Sequence, residues 1–513
     1  MLYYFILILL LGIFSYLLIF YTTNSYKIAF IYLFIYNGII YLMAPFKMPF
    51  FVLSNSLSYP VSFLMSLLLK RKDSKKIILK GNKPSLISNV FEGILVTGAA
   101  GSGKTTTIIY RILEHYARYN FTGIIYDYKD FELTEIAYGL YKNSKIPFKC
   151  ICFSDLSRST RINPIAPCYI ENEDTIRSFF QIIYENVLGR NTQGNPFFKH
   201  SAISAISALT WKIYEEDPQH CNIPFIVGLF TRKKIEDLAD MIASNIRAKS
   251  LGSTFLDALA HPETISNIKA SITNFLSFFL TPEKFFILGE DRLNLRINHK
   301  DSPCVLSIVN NPSYEVIQSP ILASIIGVIL KQMAYRDRMD SFLLLDEAPT
   351  LALENVSRIP ATMRSYNVST LYCIQDKTLS DELQGESTTR AILANLSSMY
   401  VGRCNDYISA RMYENLSSLM KEKQKSINQS KNPLYAKAET RLNISERERH
   451  KIRASEFFKF KSGEFYYFSK GDEKKMTFPF RKIERIKPEE INLLTKEEIV
   501  ENYLKVLKDC TDY

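Results

Sequence analysis

Long apolar runs separate the first 70 positions from the rest of the chain. Residues 1–21 and 28–46 contain no charged side chain. Each run is long enough to cross the roughly 30 Å hydrocarbon core of a bilayer as a helix. The link between them, TTNSYK, leaves room only for a tight turn. We therefore predict a two-helix transmembrane hairpin over 1–48 and a membrane-proximal linker over 49–80.

The distribution of basic residues predicts how the hairpin is oriented. Lys27 is the only charged residue of the link, whereas Lys or Arg follows the second run at 47, 70, 71, 72, 75 and 76. The positive-inside rule then keeps the bulk of the chain on the cytoplasmic side of a multi-pass protein. A cleaved signal peptide is the alternative, but a second apolar run does not follow one so closely. Residues 50–69 are also apolar, and Pro60 favours an interfacial helix there over a third span.

After residue 81, strand patterns alternate with helical ones. Short apolar runs typical of buried strands occur at 93–97, 123–127, 148–153, 305–309, 341–345, 369–375 and 398–401. Helical stretches such as Pro320–Arg336 lie between them, and this alternation predicts an α/β fold with a parallel sheet. From 171 to 285 the apolar residues recur at helical spacing, which predicts an all-α insertion domain. We interpret Trp211 as a core residue of that domain.

The first strand leads into a phosphate-binding pattern. Gly98-Ala-Ala-Gly-Ser-Gly-Lys-Thr105 follows the strand and precedes a helical stretch, which is the context a P-loop requires. Glycine lets successive backbone N–H groups turn toward phosphate oxygens. Lys104 would reach the β and γ phosphates of ATP, and the Thr105 hydroxyl would coordinate Mg²⁺. The predicted nucleotide-binding residues of the loop are Gly98, Gly101, Ser102, Gly103, Lys104, Thr105 and Thr106.

A later strand supplies the carboxylates that such a site needs. It ends in Asp346, predicted to hold Mg²⁺, and Glu347, predicted to orient and deprotonate the attacking water. Gln375 ends the next strand and either senses the γ-phosphate or is a solvent-facing strand end. Because Lys104 and Asp346 are far apart in sequence, the nucleotide-binding domain is predicted in two parts, 81–170 and 286–485. The insertion (171–285) separates them, and a helical tail (486–513) follows.

The order of these parts resembles the type IV coupling proteins, the TraD/TraG-like hexameric ATPases of conjugation and type IV secretion. The matching stretches are the P-loop, YDYKDFE (126–132), Ile162-Asn163-Pro164, LLLDEAPTL (343–351), MRSYNVSTLYCIQD (363–376) and RASEFFKFKSGEFYYFSKG (453–471). The resemblance implies a RecA-like core, ATP and Mg²⁺ as cofactors, and catalytic roles for Glu347 and Gln375. It also implies that Arg364 acts on the nucleotide of a neighbouring subunit, although a surface helix position is the alternative. The run 127–130 departs from the usual Asp-Pro-Lys-Gly-Glu, so only Lys129 is carried over.

The resemblance further implies a location and partners. It implies a homo-hexamer in the bacterial inner membrane that couples a relaxase–DNA substrate to the channel of a type IV secretion system. Single- or double-stranded DNA, a relaxase or other secreted protein, and channel components would be its partners. A receptor ATPase for protein effectors and an ATP-binding membrane scaffold that does not pump DNA are the alternatives. An ABC transporter would need an LSGGQ-like signature, which the sequence lacks.

Charge gives the DNA hypothesis weak support. The chain has 63 Lys and Arg against 52 Asp and Glu, a formal net charge of +11, which favours a polyanionic partner. Residues 418–461 hold twelve Lys or Arg against five Glu. This stretch either contacts phosphate backbones or is a solvated or lipid-facing loop. The aromatic residues at 457–468 favour an edge strand packed on the core over a base-stacking surface.

Overall fold

Strands from both halves of the chain form one nine-stranded sheet. The computed structural model describes residues 74–188, 196–430 and 439–513. The predicted membrane hairpin and the apolar stretch 50–69 lie outside these residues. The strands are β1 (Ile77–Lys80), β2 (Pro84–Ile87), β3 (Ile94–Thr97), β4 (Thr122–Asp127), β5 (Phe148–Cys152), β6 (Val305–Val309), β7 (Ser341–Leu345), β8 (Val368–Ile374), β9 (Ser398–Val401), β10 (Leu419–Ser430), β11 (Glu439–His450), β12 (Glu464–Ser469) and β13 (Asp472–Thr477).

The large sheet has the order β13-β12-β9-β3-β8-β7-β4-β6-β5. All pairs from β9 to β5 are parallel, and β12 joins β9 and β13 antiparallel. Every residue of β3, β4, β7 and β8 is buried, as expected for parallel strands that are covered on both faces. Alternate residues enter different cores, with Leu95 in one and Ile94 and Val96 in the other.

Helices cover this sheet and form a large region beside it. Within the described residues they are Tyr110–Arg118, Glu132–Tyr141, Glu173–Leu188, Pro196–Glu216, Ile223–Arg232, Ile235–Ser244, Ile246–Leu251, Ser253–Ala258, Pro262–Ser277, Pro282–Leu288, Glu315–Met333, Ile359–Arg364, Lys377–Gln384, Glu386–Ala394, Tyr407–Leu416, Ala454–Phe457 and Lys496–Asp512. No strand occurs between 171 and 285 in the part of the chain that the structure describes. The predicted domain boundaries stay predictions.

The last helix packs onto this helical region. Leu507 and Cys510 are buried in helix Lys496–Asp512, which packs against helix Ile223–Arg232. The two helices approach at Gly228, where an added Cβ would lie 2.5 Å from the Cys510 Sγ. Trp211 is 3% exposed, as expected of a core residue, and the guanidinium of Arg247 lies 4.4 Å from its ring centroid.

Helix Glu315–Met333 is unusually apolar for a helix outside the predicted membrane hairpin. Among the described residues, the segment Pro312–Met333 is the single helical stretch with the length and composition of a membrane span. Of the residues in its most apolar 18-residue stretch, 72% are buried within the protein, and the helix packs against helix Glu173–Leu188. A helix that is apolar on all sides is typical of a buried core position. The predicted start at Pro320 was wrong, because the helix begins five residues earlier and contains that proline.

Two details of the closing stretch differ from expectation. The aromatic strand is β12, which packs on the core as predicted but lies one position inside the edge, because β13 pairs outside it. Residues 419–430 and 439–450 form the separate antiparallel strand pair β10–β11 rather than a loop. Near its base, Glu422 pairs with Arg449 at 2.7 Å and Glu473 pairs with Lys451 at 2.9 Å.

Candidate active site

The loop after β3 has a backbone that requires glycine. Gly98, Gly101 and Gly103 have φ values of 147°, 72° and 90°, which side-chain-bearing residues rarely adopt. A Cβ at Gly98 would also lie 2.9 Å from the Ser102 Oγ and 3.1 Å from the Gly402 Cα. The glycine pattern identified in the sequence therefore forms a tight turn after β3.

Buried polar groups of this loop fit a phosphate. The Lys104 side chain is 7% exposed and its Nζ donates to the Gly98 carbonyl oxygen at 2.5 Å. Burial lowers the pKa of Lys104, and the charge of Glu347 opposes that shift. The Ser102 hydroxyl is buried without a hydrogen-bond partner among the described residues. Buried polar groups are normally paired, so an ammonium and an unpaired hydroxyl here suit a bound oxyanion.

The helix that starts at the loop is distorted in its first turns. Lys104–Ile109 is π-helical and continues into the α-helix Tyr110–Arg118. The hydroxyls of Thr106 and Thr107 both donate to the Gly103 carbonyl oxygen, at 3.4 and 2.7 Å. Short π-helical segments recur at functional sites. Thr105 and Thr106 are thus placed beside Lys104, at the positive end of a helix.

Two buried carboxyl groups lie at the end of β7. Asp346 is 5% exposed and Glu347 is 3% exposed. Burial raises the pKa of Asp346 to about 7; the cation of Lys129 opposes this rise, and the carboxylate of Glu347 adds to it. Glu347 has a left-handed backbone conformation, with φ of 49°, which is uncommon for a residue with a side chain and is found at functional sites.

Lys129 and Gln375 bring two further strand ends to these carboxylates. The Lys129 Nζ lies 3.7 Å from the Glu347 Oε1 and 3.9 Å from the Asp346 Oδ2. Burial alone would lower the Lys129 pKa, but these two carboxylates outweigh it and raise the pKa. The Gln375 side-chain amide donates to the Glu347 Oε1 at 3.1 Å. Gln375 therefore contacts the acidic pair and is not a solvent-facing strand end.

Asp127 at the end of β4 shapes the turn that carries Lys129. Its buried carboxylate accepts hydrogen bonds from the Lys129 backbone N–H at 3.1 Å and from the Thr134 N–H and hydroxyl at 2.7 and 2.6 Å. Burial raises the pKa of Asp127, although these hydrogen bonds oppose the shift. Sequence analysis assigned no role to Asp127, which now reads as a positioning residue.

Arg364 lies away from this cluster. It ends helix Ile359–Arg364 ahead of the amino end of β8, and its guanidinium lies 3.4 Å from Glu92, which precedes the amino end of β3. The P-loop and Gln375 instead follow the carboxyl ends of those same strands. Because β3 and β8 are parallel, the length of the sheet separates Arg364 from the acidic pair. Its side chain is 56% exposed.

Residues from the carboxyl-terminal half support the outer side of the P-loop. The Arg403 guanidinium donates to the Ala100 carbonyl oxygen at 3.1 Å. The Ser462 hydroxyl and the Gly463 N–H donate to the carbonyl oxygens of Gly101 and Ser102, at 2.7 and 2.9 Å. Sequence reasoning missed these contacts, since no spacing or residue pattern marks a turn that packs on a loop 300 positions earlier.

Known proteins share part of the sequence pattern and most of the fold. Residues 341–461 match the family model described as the TraM recognition site of TraD and TraG. No curated protein sequence matches the chain. The unbound bacterial conjugative coupling protein TrwBdeltaN70 superposes with a TM-score of 0.64 and 13% identity, over 82% of this chain and 92% of that chain.

Two further solved structures are similar. The plasmid coupling protein TrwB in complex with ADP and Mg²⁺ has a TM-score of 0.62 and 12% identity, covering 82% of this chain and 93% of that one. VirB4 of Thermoanaerobacter pseudethanolicus has a TM-score of 0.52 and 11% identity, covering 80% and 98%. The fold and the loop geometry define an α/β protein with a parallel sheet and a glycine-rich turn between β3 and the helix that follows. The predicted resemblance to the type IV coupling proteins is confirmed by the family match together with this fold.

Proposed function

We propose that the chain is a conjugative coupling ATPase that binds ATP and Mg²⁺ at the loop 98–105. The observation that carries this proposal is the convergence of Lys104, Lys129, Asp346, Glu347 and Gln375 at one edge of the sheet. Two solved complexes support it, because TrwB of the same fold is described with ADP and Mg²⁺ and with a non-hydrolysable ATP analogue.

Different residues of the site would contact the phosphates and the Mg²⁺ ion of the nucleotide. Lys104 would pair with the β and γ phosphates, with backbone N–H groups of Gly101 to Thr106 around them. Thr105 and Asp346 would hold Mg²⁺, which usually takes one or two protein oxygens together with phosphate oxygens. Bound Mg²⁺ neutralises phosphate charge. The raised pKa of Asp346 fits such a site, because a cation favours its ionised form.

Glu347 is the residue we assign to water activation. Its carboxylate would accept the proton of the attacking water. The 3.1 Å hydrogen bond from Gln375 to the Glu347 Oε1 fixes one oxygen of that carboxylate. Gln375 can turn the same amide toward the γ-phosphate, so it would link the presence of that phosphate to the orientation of the base.

A neighbouring subunit would complete the site. Arg364 lies at the opposite end of the strands from the nucleotide site of its own subunit, and its side chain is 56% exposed. It could therefore contact a nucleotide only in a neighbouring subunit. A planar guanidinium from that copy would stabilise charge on the transferred γ-phosphate. We therefore infer a ring of identical subunits, a hexamer by analogy with the coupling proteins.

The substrate assignment rests on the same resemblance. We propose that the predicted hairpin at 1–48 anchors the chain in the bacterial inner membrane and that the ring drives a relaxase–DNA substrate toward a type IV secretion channel. The match of 341–461 to a TraM recognition model supports contact with DNA-processing proteins. The basic strand pair β10–β11 lies within that segment and is the candidate DNA-contacting element.

Steady-state ATP hydrolysis by the full-length protein in mild detergent tests the proposal. Turnover should be lost in Lys104→Ala and retained in Lys142→Ala, an exposed lysine outside the site. Single- or double-stranded DNA should stimulate ATP hydrolysis by the protein with an intact Lys104, and this stimulation should weaken as the salt concentration rises. Lys104-dependent hydrolysis that ignores DNA would favour the receptor for protein effectors. Nucleotide binding without any hydrolysis would leave only the scaffold alternative.

A further inference from the structure

A cationic cavity lies beside the helix Tyr110–Arg118, and no residue of the P-loop lines it. Its volume is about 410 Å³, and it is bounded by residues 76–80, by one face of that helix and by Arg481. The charged residues in its lining are Lys76, Lys80, Arg111, Glu114, Arg118 and Arg481. Even without Lys76, the lining sets four cationic side chains, those of Lys80, Arg111, Arg118 and Arg481, against the single carboxylate of Glu114.

Helical spacing explains why these charges meet. Arg111, Glu114 and Arg118 recur at intervals of three and four residues, so they lie on one face of the helix. The Glu114 carboxylate pairs with two arginines at once: its Oε1 lies 3.3 Å from the Arg118 guanidinium and its Oε2 lies 3.7 Å from the Arg481 guanidinium. One carboxylate cannot balance the positive charge around it, and like charges held together in this way repel each other.

Arg111 is the most buried of these cations. It is 9% exposed, and one guanidinium nitrogen donates to the Pro479 carbonyl oxygen at 2.8 Å. Its Nε is fully buried and has no hydrogen-bond partner among the described residues. Burial, and then the nearby charge of Arg481, lowers the pKa of Arg111. A buried guanidinium with an unused donor costs free energy unless an anion pairs with it.

We propose that this cavity binds a phosphate-bearing anion, with Arg111 as the buried anchor and Lys80, Arg118 and Arg481 around it. Guanidinium groups match phosphate oxygens by paired hydrogen bonds, and lysine adds charge without demanding one geometry. The cavity is within the size range of small-molecule sites. A concave site of this volume with a buried arginine in its lining favours a small anionic group over the backbone of a long nucleic acid.

The anion has two possible sources, a lipid headgroup or a soluble phosphate compound. Lys76 follows the apolar stretch 50–69 by seven residues, which span at most about 25 Å when fully extended. Anionic lipids of the cytoplasmic leaflet attract basic residues next to membrane segments. A lipid headgroup is therefore tested as one of the two sources.

Binding of defined probes to the full-length protein in neutral detergent tests this site. The probes are dihexanoyl phosphatidylglycerol, dihexanoyl phosphatidylcholine and pyrophosphate, and all measurements use a Lys104→Ala background to silence the P-loop. The test variant is Lys80→Gln with Arg118→Gln. The control is Lys249→Gln with Arg390→Gln, which removes equal charge from exposed positions and breaks an equivalent i,i+4 pair, Arg390 with Glu386.

We expect the test variant to bind the phosphate probe at least about tenfold more weakly, whereas the control binds as the parent does. Preference for phosphatidylglycerol over pyrophosphate identifies a lipid headgroup, and the reverse identifies a soluble phosphate. Equal affinities in test and control variants would overturn the proposal. The proposal would also be overturned if the parent protein bound none of the probes but bound duplex DNA in a way that depends on Lys80 and Arg118. Because ATP hydrolysis is measured separately, failure here leaves the proposed function standing.

Discussion

Lys129 offers a quantitative test of the electrostatics of the acidic pair. Its ammonium lies 3.9 Å from the Asp346 carboxylate. At that distance two unit charges attract by about 4 kcal/mol at an effective dielectric constant near 20. The Lys129 side chain is 38% exposed, so screening by water reduces this to about 2 kcal/mol. That is about 1.5 pKa units, and the Lys129→Met substitution should raise the pKa of Asp346 by this amount.

We expect Lys129→Met to shift the pH profile of ATP hydrolysis and not to lower the activity equally at every pH. The ionised form of Asp346 is the one proposed to hold Mg²⁺, and the pKa of Asp346 is about 7. Activity should therefore rise as the pH rises through that value. In Lys129→Met the acidic limb of kcat/KM, which reports the free enzyme, should move by about 1.5 pH units toward alkaline pH. At pH 7 the variant should be about 15-fold slower, because about 3% of Asp346 would be ionised instead of about half, and it should recover at high pH.

The assay is ATP hydrolysis at limiting Mg²⁺ across the pH range, with Lys142→Met as the control. Lys142 is exposed and follows helix Glu132–Tyr141, so its loss should leave the profile in place. Lys129→Arg, which keeps the charge, should restore most of the acidic limb. A Lys129→Met profile that is lower by the same factor at every pH would refute the reasoning, because Lys129 would then act by some means other than the charge of Asp346.

Three further variants test other parts of the account. Glu347→Gln should lower kcat by about 10²- to 10⁴-fold while ATP binding, measured with a fluorescent analogue, is kept; near-normal turnover would remove Glu347 as the base. The Arg364→Ala variant should be inactive by itself. Mixing it with Lys104→Ala should restore some ATP hydrolysis, because an intact P-loop of one variant can then receive Arg364 from the other, and a mixture without activity would contradict action between subunits. Gly228→Ala should lower the free energy of unfolding by about 1–3 kcal/mol, because its Cβ would lie 2.5 Å from the Cys510 Sγ. Thermal unfolding should show partial rescue when Cys510→Ala is added, and an undiminished loss would place the strain elsewhere.

Elements that are buried on both faces were predictable from sequence. The strands at 305–309 and 398–401 have the predicted bounds, because a strand covered on both sides must be a short apolar run. The P-loop was predictable for a different reason, since the positive φ values of Gly98, Gly101 and Gly103 are a local requirement for glycine. Local rules therefore sufficed for these strands and for the phosphate-binding turn.

Features that depend on distant packing were not predictable. The position of Lys129 depends on the turn after β4, where Asp130 and Phe131 have left-handed backbone conformations with φ of 47° and 68°. Aspartate is enriched in this conformation, but phenylalanine is rarely found there, so the sequence did not indicate a turn that includes Phe131. Arg403 reaches the P-loop only because β9 lies beside β3, a neighbour relation that periodicity does not reveal.

The strand order also has a consequence for how the protein is made. Strand β3 is complete at Thr97, but its neighbours β8 and β9 begin only at Val368 and Ser398. At about 5–20 residues per second, a ribosome needs roughly 15 to 50 s to cover that interval. Throughout it the nascent chain carries an apolar strand with both edges unpaired, which is prone to aggregate. We expect the cellular yield to be set by how well chaperones shield this strand during translation, and less by the stability of the finished sheet.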